Sequence, residues 1–271
     1  MNFLTITILS FLPAIFYSGL IYISLPYKII DPIKALYYLI GGFLSVGVFI
    51  VINQIFPWIG NSHNELFNPL INPLSNLHYK FFIVVGLLEE ASKLIAFLIL
   101  EKNNKTTDKE KPNPLATMFY VSMVSLGFAI LENIKYAMGS SDPGYVIALR
   151  SVTAVVGHLV FGLFMGYWVS FGRLKTRLKN RSIVDLLLHK DSKLKRKVFI
   201  FVGLISATIL HGIYDLHITI NNSGSLTTIY MLLIICVIGA MWCFRNLFRL
   251  DIKQKEIDSK KGIKIRLEPK D

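Results

Sequence analysis

Apolar residues occur along this chain in seven long runs that polar or basic stretches separate. Each run extends over about 20 residues, the length that an α-helix needs to cross the hydrocarbon core of a bilayer. The pattern therefore predicts an all-α, polytopic bundle of about seven transmembrane helices. The predicted spans are Phe3–Ile23, Ala35–Ile55, Phe81–Leu100, Leu115–Ala137, Val152–Phe171, Val198–His217 and Leu226–Phe244.

The composition supports this interpretation. Hydrophobic residues make up 53% of the chain and charged residues only 17%, whereas about a quarter of the residues in a typical soluble domain are charged. The first apolar run has no basic residue before it and no small-residue cleavage pattern after it. We therefore expect a retained helix there and not a signal peptide.

The basic residues predict how the helices are oriented. Of the 29 Lys and Arg residues, 25 lie on one side: two between spans one and two, four between three and four, ten between five and six, and nine from Arg245 onwards. Because cytoplasmic loops collect Lys and Arg, we expect the N-terminus outside and the C-terminus in the cytoplasm. Residues 1–250 would form one transmembrane domain, and residues 251–271 a polar, basic cytoplasmic tail.

The net charge of +12 is explained by this topology and by attraction to anionic lipid, and we expect no nucleic-acid partner. Two of the connecting segments have their own pattern. Residues 56–80 mix Trp58, several prolines and scattered apolar residues, which is typical of an interfacial segment on the outer face and leaves open a substrate-guiding role. In residues 173–197, apolar residues are interspersed with basic ones, as in an amphipathic helix at the membrane surface.

Three charges interrupt the third apolar run. Each Asp, Lys or Arg at the centre of a transmembrane helix costs roughly 2.5–3.5 kcal/mol, so Glu89, Glu90 and Lys93 must gain something that leucine would not give. Glu89 and Lys93 are four residues apart and share a face, which predicts a neutralising pair. Glu90 is turned about 100° away and should face a different neighbour.

Other buried polar residues lie on the next three spans. Counted from the outer end of each span, the depths agree at roughly 8–14 Å below the outer surface, provided that span five begins after Arg150; the residues compared are Glu89, Glu90, Glu132, His158 and His211. His211 and Asp215 are four residues apart, so the carboxylate could hold the imidazole tautomer. The group consists of Glu132 and Asn133 on span four, His158 on span five, and His211 and Asp215 on span six.

Two imidazoles among several carboxylates are typical of a catalytic zinc site, in which another carboxylate serves as general base for a water molecule. Such a site hydrolyses an amide without a nucleophilic side chain. The sequence contains no His-Glu-x-x-His, no Gly-x-Ser-x-Gly and no Cys close to a His. These absences favour a metal-dependent hydrolase within the membrane.

Two other classes of function remain open at this point. Intramembrane Glu, His and Lys also form ion or proton pathways in transporters, although seven spans do not divide into the inverted repeats common among transporters. In a non-catalytic assembly protein, the same residues would only join helices to each other.

The polar motifs resemble, in order and spacing, those of the PrsW family of membrane proteases, which is grouped with the type II CAAX prenyl endopeptidases as intramembrane metalloproteases. The resemblance implies an endopeptidase in the cell membrane of a prokaryote that cuts a membrane-anchored protein, such as an anti-sigma factor, near its extracytoplasmic face. The matching motifs are Glu89-Glu90-Ala-Ser-Lys93, Phe128-Ala-Ile-Leu-Glu132-Asn133, His158 and His211-Gly-Ile-Tyr-Asp215.

The resemblance also suggests roles for these residues. Glu89 would be the general base and Glu90 a second carboxylate that orients water or metal. His158, His211 and Glu132 would be ligands of Zn²⁺ or stabilise the oxyanion, and the resemblance leaves open a glutamate-activated water without metal. The corresponding motifs of the CAAX branch resemble Glu-Glu-x-x-x-Arg and Phe-x-x-x-His. This chain has Lys93 in the role of the arginine and Glu132 in the role of the histidine, so a prenylated substrate is not expected. The supporting residues would be Lys93, Phe128, Asn133 and Asp215.

Overall fold

Each predicted apolar run forms a helix, since a helix satisfies all its interior backbone donors and acceptors within a bilayer. The computed structural model describes residues 1–25, 29–55, 77–103, 113–174, 192–220 and 226–260, and all regular secondary structure in these ranges is helical. The predicted all-α bundle is confirmed. The helices are α1 (Phe3–Ser24), α2 (Pro32–Ile55), α3 (Leu88–Asn103), α4 (Pro114–Met138), α5 (Pro143–Val152), α6 (Ala154–Phe171), α7 (Ser192–Ile220) and α8 (Leu226–Lys260), and a π-helical segment (Tyr79–Leu87) leads into α3.

Six helical elements in the described ranges are long and apolar enough to cross a membrane: α1, α2, α4, α5 with α6, α7 and α8. The third predicted span has a different character. It is divided into the nine-residue π-helical segment and the 16-residue α3, and α3 begins with the charged residues of the candidate site. The position of this element depends on its contacts with neighbouring helices more than on an apolar stretch of membrane-spanning length.

Helix α4 lies at the centre of the bundle. Of its most apolar stretch 89% is buried, against 17% for α1 and 28% for α8. Helix α4 packs between α2 and α6, while α3 packs on α2 and α7 packs on α6. The four helices that carry the candidate site residues, α3, α4, α6 and α7, are thereby brought together.

Glycines on α6 allow its close approach to α4. A Cβ atom on Gly162 would lie 2.8 Å from Cα of Ser122, and one on Gly166 would lie 2.8 Å from Cα of Met118. Real side chains do not tolerate such distances to backbone, so only glycine fits at these two positions. The interface follows the small-residue packing common between membrane helices, one turn along α6 from His158.

The fifth span begins earlier than predicted. The side chain of Asp142 caps α5 by accepting a hydrogen bond from the backbone N–H of Tyr145 at 3.1 Å, and Pro143 occupies the first turn. The chain then breaks at Thr153 (φ −121°, ψ −80°) before α6 starts. An aspartate N-cap followed by proline is a recognised helix start, so this boundary was visible in the sequence.

Several predictions concern residues beyond the described ranges. Residues 56–76 of the expected outer segment and residues 175–191 of the expected amphipathic segment are among them. Helix α8 continues to Lys260, past the expected domain boundary at residue 250. The division into two parts and the orientation of the chain across the membrane remain predictions.

Candidate active site

The first two turns of α3 carry three buried charges, Glu89, Glu90 and Lys93. Nζ of Lys93 lies 2.6 Å from Oε1 of Glu90 and 3.6 Å from Oε2 of Glu89. The predicted pair of Glu89 and Lys93 is therefore present, and Glu90, which was expected to face a different neighbour, also contacts Lys93 and at the shorter distance. Residues at i+3 and i+4 both lie on the face of residue i, so the lysine reaches both carboxylates.

Helix α7 adds an imidazole to the same cluster. Nδ1 of His211 lies 2.8 Å from Oε1 of Glu90, and Nε2 faces Oδ2 of Asp215 at 3.4 Å and Oε2 of Glu89 at 3.8 Å. With Glu90 ionised, Nδ1 carries a proton and donates it, and in the neutral ring the lone pair is then on Nε2. Glu90, more than the expected Asp215, thus fixes the tautomer of His211.

Helix α6 contributes the second imidazole. Nδ1 of His158 lies 3.0 Å from Nζ of Lys93, and Nε2 lies 2.8 Å from Oε2 of Glu132 on α4. An ammonium group can only donate, so Nδ1 accepts and the ring proton is on Nε2, which donates to Glu132. One network of polar contacts therefore joins α3, α4, α6 and α7.

Arg150 is a member of this network that the sequence analysis did not identify. Its Nη2 donates to Oε2 of Glu132 at 2.7 Å, and its Nε donates to Oδ1 of Asn133 at 2.8 Å. The guanidinium group also lies over the ring of Tyr136, 4.1 Å from its centroid. Arg150 is in the last turn of α5, where the hydropathy pattern indicated only a loop.

Aromatic rings enclose the polar cluster. The ring of Phe128, a predicted supporting residue, lies 4.3 Å from Nζ of Lys93 and 5.7 Å from the ring of His158. Phe161 stacks on His211 with ring centroids 5.1 Å apart and was not among the predicted residues. These rings pack against Lys93 and both imidazoles, while the side chain of Asp215 is 22% exposed.

The expected common depth is supported by direct contacts. Glu132 and His158 meet at 2.8 Å and Glu90 and His211 meet at 2.8 Å, so these four residues share one level. The early start of α5 does not displace His158, because α6 is a new helix that begins after Thr153.

Three of these residues could hold a metal ion. One donor atom from each of Glu89, His158 and His211 lies within 4.8 Å of the others, and all three residues are buried. Oε2 of Glu89 has no hydrogen-bond partner among the described residues although it is buried. Ligands about 2.1 Å from a tetrahedral zinc ion lie about 3.4 Å apart, close to the 3.8 Å between this oxygen and Nε2 of His211.

The charge of the cluster also suits a divalent cation. With the carboxylates ionised and both imidazoles neutral, two of four negative charges are offset by Lys93 and Arg150, and two remain. The carboxylates are Glu89, Glu90, Glu132 and Asp215. Buried charges need compensation, so the donor set and the remaining charge both fit a divalent ion. Nδ1 of His158 accepts from Lys93 in this arrangement, and ligation through that nitrogen would replace the hydrogen bond.

Comparison with known proteins gives a consistent result. The family model described as PrsW family intramembrane metalloprotease matches residues 32–241. The protein named Protease PrsW of Clostridioides difficile is 27% identical over 202 residues, which is 73% of this chain and 72% of that protein.

Two further relatives carry the same name. The Protease PrsW of Oceanobacillus iheyensis is 28% identical over 72% of this chain and 74% of its own length. That of Shouchella clausii is 28% identical over 64% of this chain and 70% of its own length. No solved structure matches the chain.

Proposed function

The chain belongs to the PrsW family of intramembrane metalloproteases, and from this premise we propose that it hydrolyses a peptide bond of a membrane-anchored protein near the extracytoplasmic face. The protein is a membrane-embedded endopeptidase. Its six apolar helices and bacterial relatives indicate a multi-pass bacterial membrane protein. We assign it to the cell membrane.

The transporter interpretation is not favoured. The same buried Glu and His residues that would form an ion pathway lie within the region that the protease family model matches. Their side chains also converge on one another, as the residues of a reaction site must. An ion pathway would instead need polar groups in succession along the membrane normal, and such a pathway is not needed to explain these residues.

The observation that carries the proposal is the environment of Oε2 of Glu89. This oxygen is buried without a hydrogen-bond partner among the described residues and faces Nε2 of His211 at 3.8 Å. Two polar atoms at that separation can both hydrogen-bond to one water oxygen at about 2.8 Å. The site is thus arranged to receive one water molecule or one ion.

We assign Glu89, His158 and His211 as the ligands of a divalent ion, with zinc as the metal that this donor set favours. A divalent ion bound there would polarise the scissile carbonyl and acidify the attacking water. Glu132 was expected among the ligands, but its Oε2 is engaged by Arg150 and His158. We therefore give Glu132 the task of orienting His158, as carboxylates behind metal-binding histidines do.

The remaining residues would hold charge and move the proton. Glu90 keeps the proton of His211 on Nδ1, and Lys93 compensates the charge of Glu90. Asp215 is the carboxylate nearest to Nε2 of His211, at 3.4 Å, and it would not be a ligand in this arrangement. Its partial exposure on the outer side makes it the acceptor for the proton that water releases.

A metal-independent reaction would use the same residues with a different task for Glu89. There, Glu89 itself would take the proton of water, as expected from the sequence, and the imidazoles would stabilise the oxyanion. The two mechanisms differ in whether an active preparation contains metal. In the metal-dependent one, Glu89→Gln also loses the bound metal.

The substrate class follows from the position of the site. The residues lie near the ends of α4, α6 and α7 that the charge distribution places outside, so the cut would fall in the outer leaflet region. A protein with a single membrane span, such as the anti-sigma factor that the family resemblance suggests, would present a peptide bond at that level.

The test is cleavage of single-span membrane proteins by the purified full chain in lipid vesicles. We expect the wild type to release the outward-facing fragment of the substrate and Glu89→Gln to release none. Lys135→Gln, an exposed change one turn from Glu132 on α4, is the matched control and should cleave normally. Equal cleavage by wild type and Glu89→Gln would refute the proposal.

A further inference from the structure

One face of α8 combines basic, amide and aromatic side chains at the end of its apolar stretch. Trp242, Arg245, Asn246 and Arg249 line a cavity of about 290 Å³. Their spacing of three, four and seven residues places them on the same side of the helix. Asn246 is held in place because its Nδ2 donates to the hydroxyl of Tyr167 on α6 at 2.7 Å.

On the side of the arginines that would lie toward the membrane interior, the same face of α8 is apolar and exposed. Ile235 is 67% exposed, Ile238 61% and Trp242 64%, and these residues precede the arginines at helical spacing. From Ile235 to Arg249 the helix rises about 21 Å at 1.5 Å per residue. One leaflet with its headgroups is about 20–22 Å thick, so this stripe has the length of a single lipid molecule.

Within the described ranges, the charge of the stripe has no acidic partner. Arg245 and Arg249 are exposed, and no carboxylate in the described part of the chain pairs with either guanidinium. Asp251 is buried and lies about 200° around the helix from Arg249. The lining residues thus offer two unpaired guanidinium groups beside a tryptophan, the residue that favours the level of lipid headgroups.

We propose that this face of α8 binds one anionic phospholipid of the inner leaflet. The phosphate lies between Arg245 and Arg249, because guanidinium groups bind phosphate oxygens in a bidentate way. Trp242 lies at the level of the glycerol, and the acyl chains pack on Ile235 and Ile238. A lipid with net negative charge is favoured over a zwitterionic one, since the site carries two positive charges. This site is independent of the proteolytic function.

The test is lipid binding to the detergent-solubilised full chain, measured by native mass spectrometry with phosphatidylglycerol and with phosphatidylcholine. Each basic residue near an anionic headgroup contributes a roughly equal part of the binding free energy. The double variant Arg245→Gln, Arg249→Gln should therefore bind phosphatidylglycerol about thirtyfold more weakly. The control removes the same charge elsewhere on the predicted cytoplasmic side, with Lys34→Gln and Lys102→Gln, and should change the affinity less than twofold.

Three results would overturn the proposal: equal loss in both double variants, which means diffuse attraction; unchanged binding in the arginine variant; or equal affinity of the wild type for the two lipids. A second readout uses bilayers that contain brominated phosphatidylglycerol, which quenches nearby tryptophan. Quenching that Trp242→Phe removes supports the site, and quenching that this variant leaves unchanged contradicts it.

Discussion

Nζ of Lys93 on α3 lies 3.0 Å from Nδ1 of His158 on α6, and the same ammonium group lies 2.6 Å from Oε1 of Glu90. One lysine thus sets the tautomer of one imidazole and compensates the carboxylate that orients the other. Lys93 is 1% exposed, so its charge has no access to water. The structural role of this residue is therefore large.

Replacing Lys93 with Met should destabilise the fold. The substitution leaves the buried carboxylate of Glu90 without its counter-charge, and breaking a buried ion pair on one side costs about 3–5 kcal/mol. Thermal unfolding in detergent measures the effect. The double change Lys93→Met with Glu90→Gln removes both charges and should recover part of the loss, whereas additive losses would mean that the two residues do not compensate each other.

Metal analysis of three carboxylate variants tests the assigned ligand set. Glu89→Gln should lose the bound metal, because it removes a ligand. Asp215→Asn should keep the metal but lose activity by roughly 10²–10⁴-fold, as expected for a lost proton acceptor. Glu132→Gln should bind metal more weakly without losing it. Retention of metal in Glu89→Gln with loss of activity would instead make Glu89 the base.

Arg150 should act on catalysis through Glu132. Removing its guanidinium group with Arg150→Gln frees Glu132 and Asn133, so we expect kcat to fall roughly 10–100-fold, the usual effect of losing a partner behind a metal ligand. KM should change little. Arg150→Lys should rescue only part of the rate, since lysine cannot make the Nε and Nη2 contacts together. A change confined to KM would point to substrate binding instead.

The close packing of α6 on α4 should be sensitive to a single methyl group. Gly162→Ala places a Cβ 2.8 Å from Cα of Ser122, and the resulting displacement of backbone should cost about 1–3 kcal/mol. Gly47→Ala on α2 is the matched control, because a Cβ there meets nothing within 4 Å. Unfolding midpoints of both variants check this prediction, and equal midpoints would contradict it.

The features that could be predicted from the sequence are those that depend on the local pattern of apolar and charged residues. Apolar runs of bilayer length identify the helices, and charges within them, such as Glu89 and Glu132, stand out because burial is costly. Arg150 was missed because it pairs with a residue 18 positions away, and no periodicity links α5 to α4. The contact of Lys93 with His158 likewise depends on how α3 and α6 pack, which sequence spacing alone does not determine.

The most direct measurement of the central claim is zinc-edge X-ray absorption on an actively cleaving preparation. The account predicts a metal with two imidazole ligands and a carboxylate at about 2.0–2.1 Å, and loss of this signal in the folded His158→Ala, His211→Ala double variant. Cleavage by a wild-type preparation without bound metal, or the same spectrum in the double variant, would contradict it.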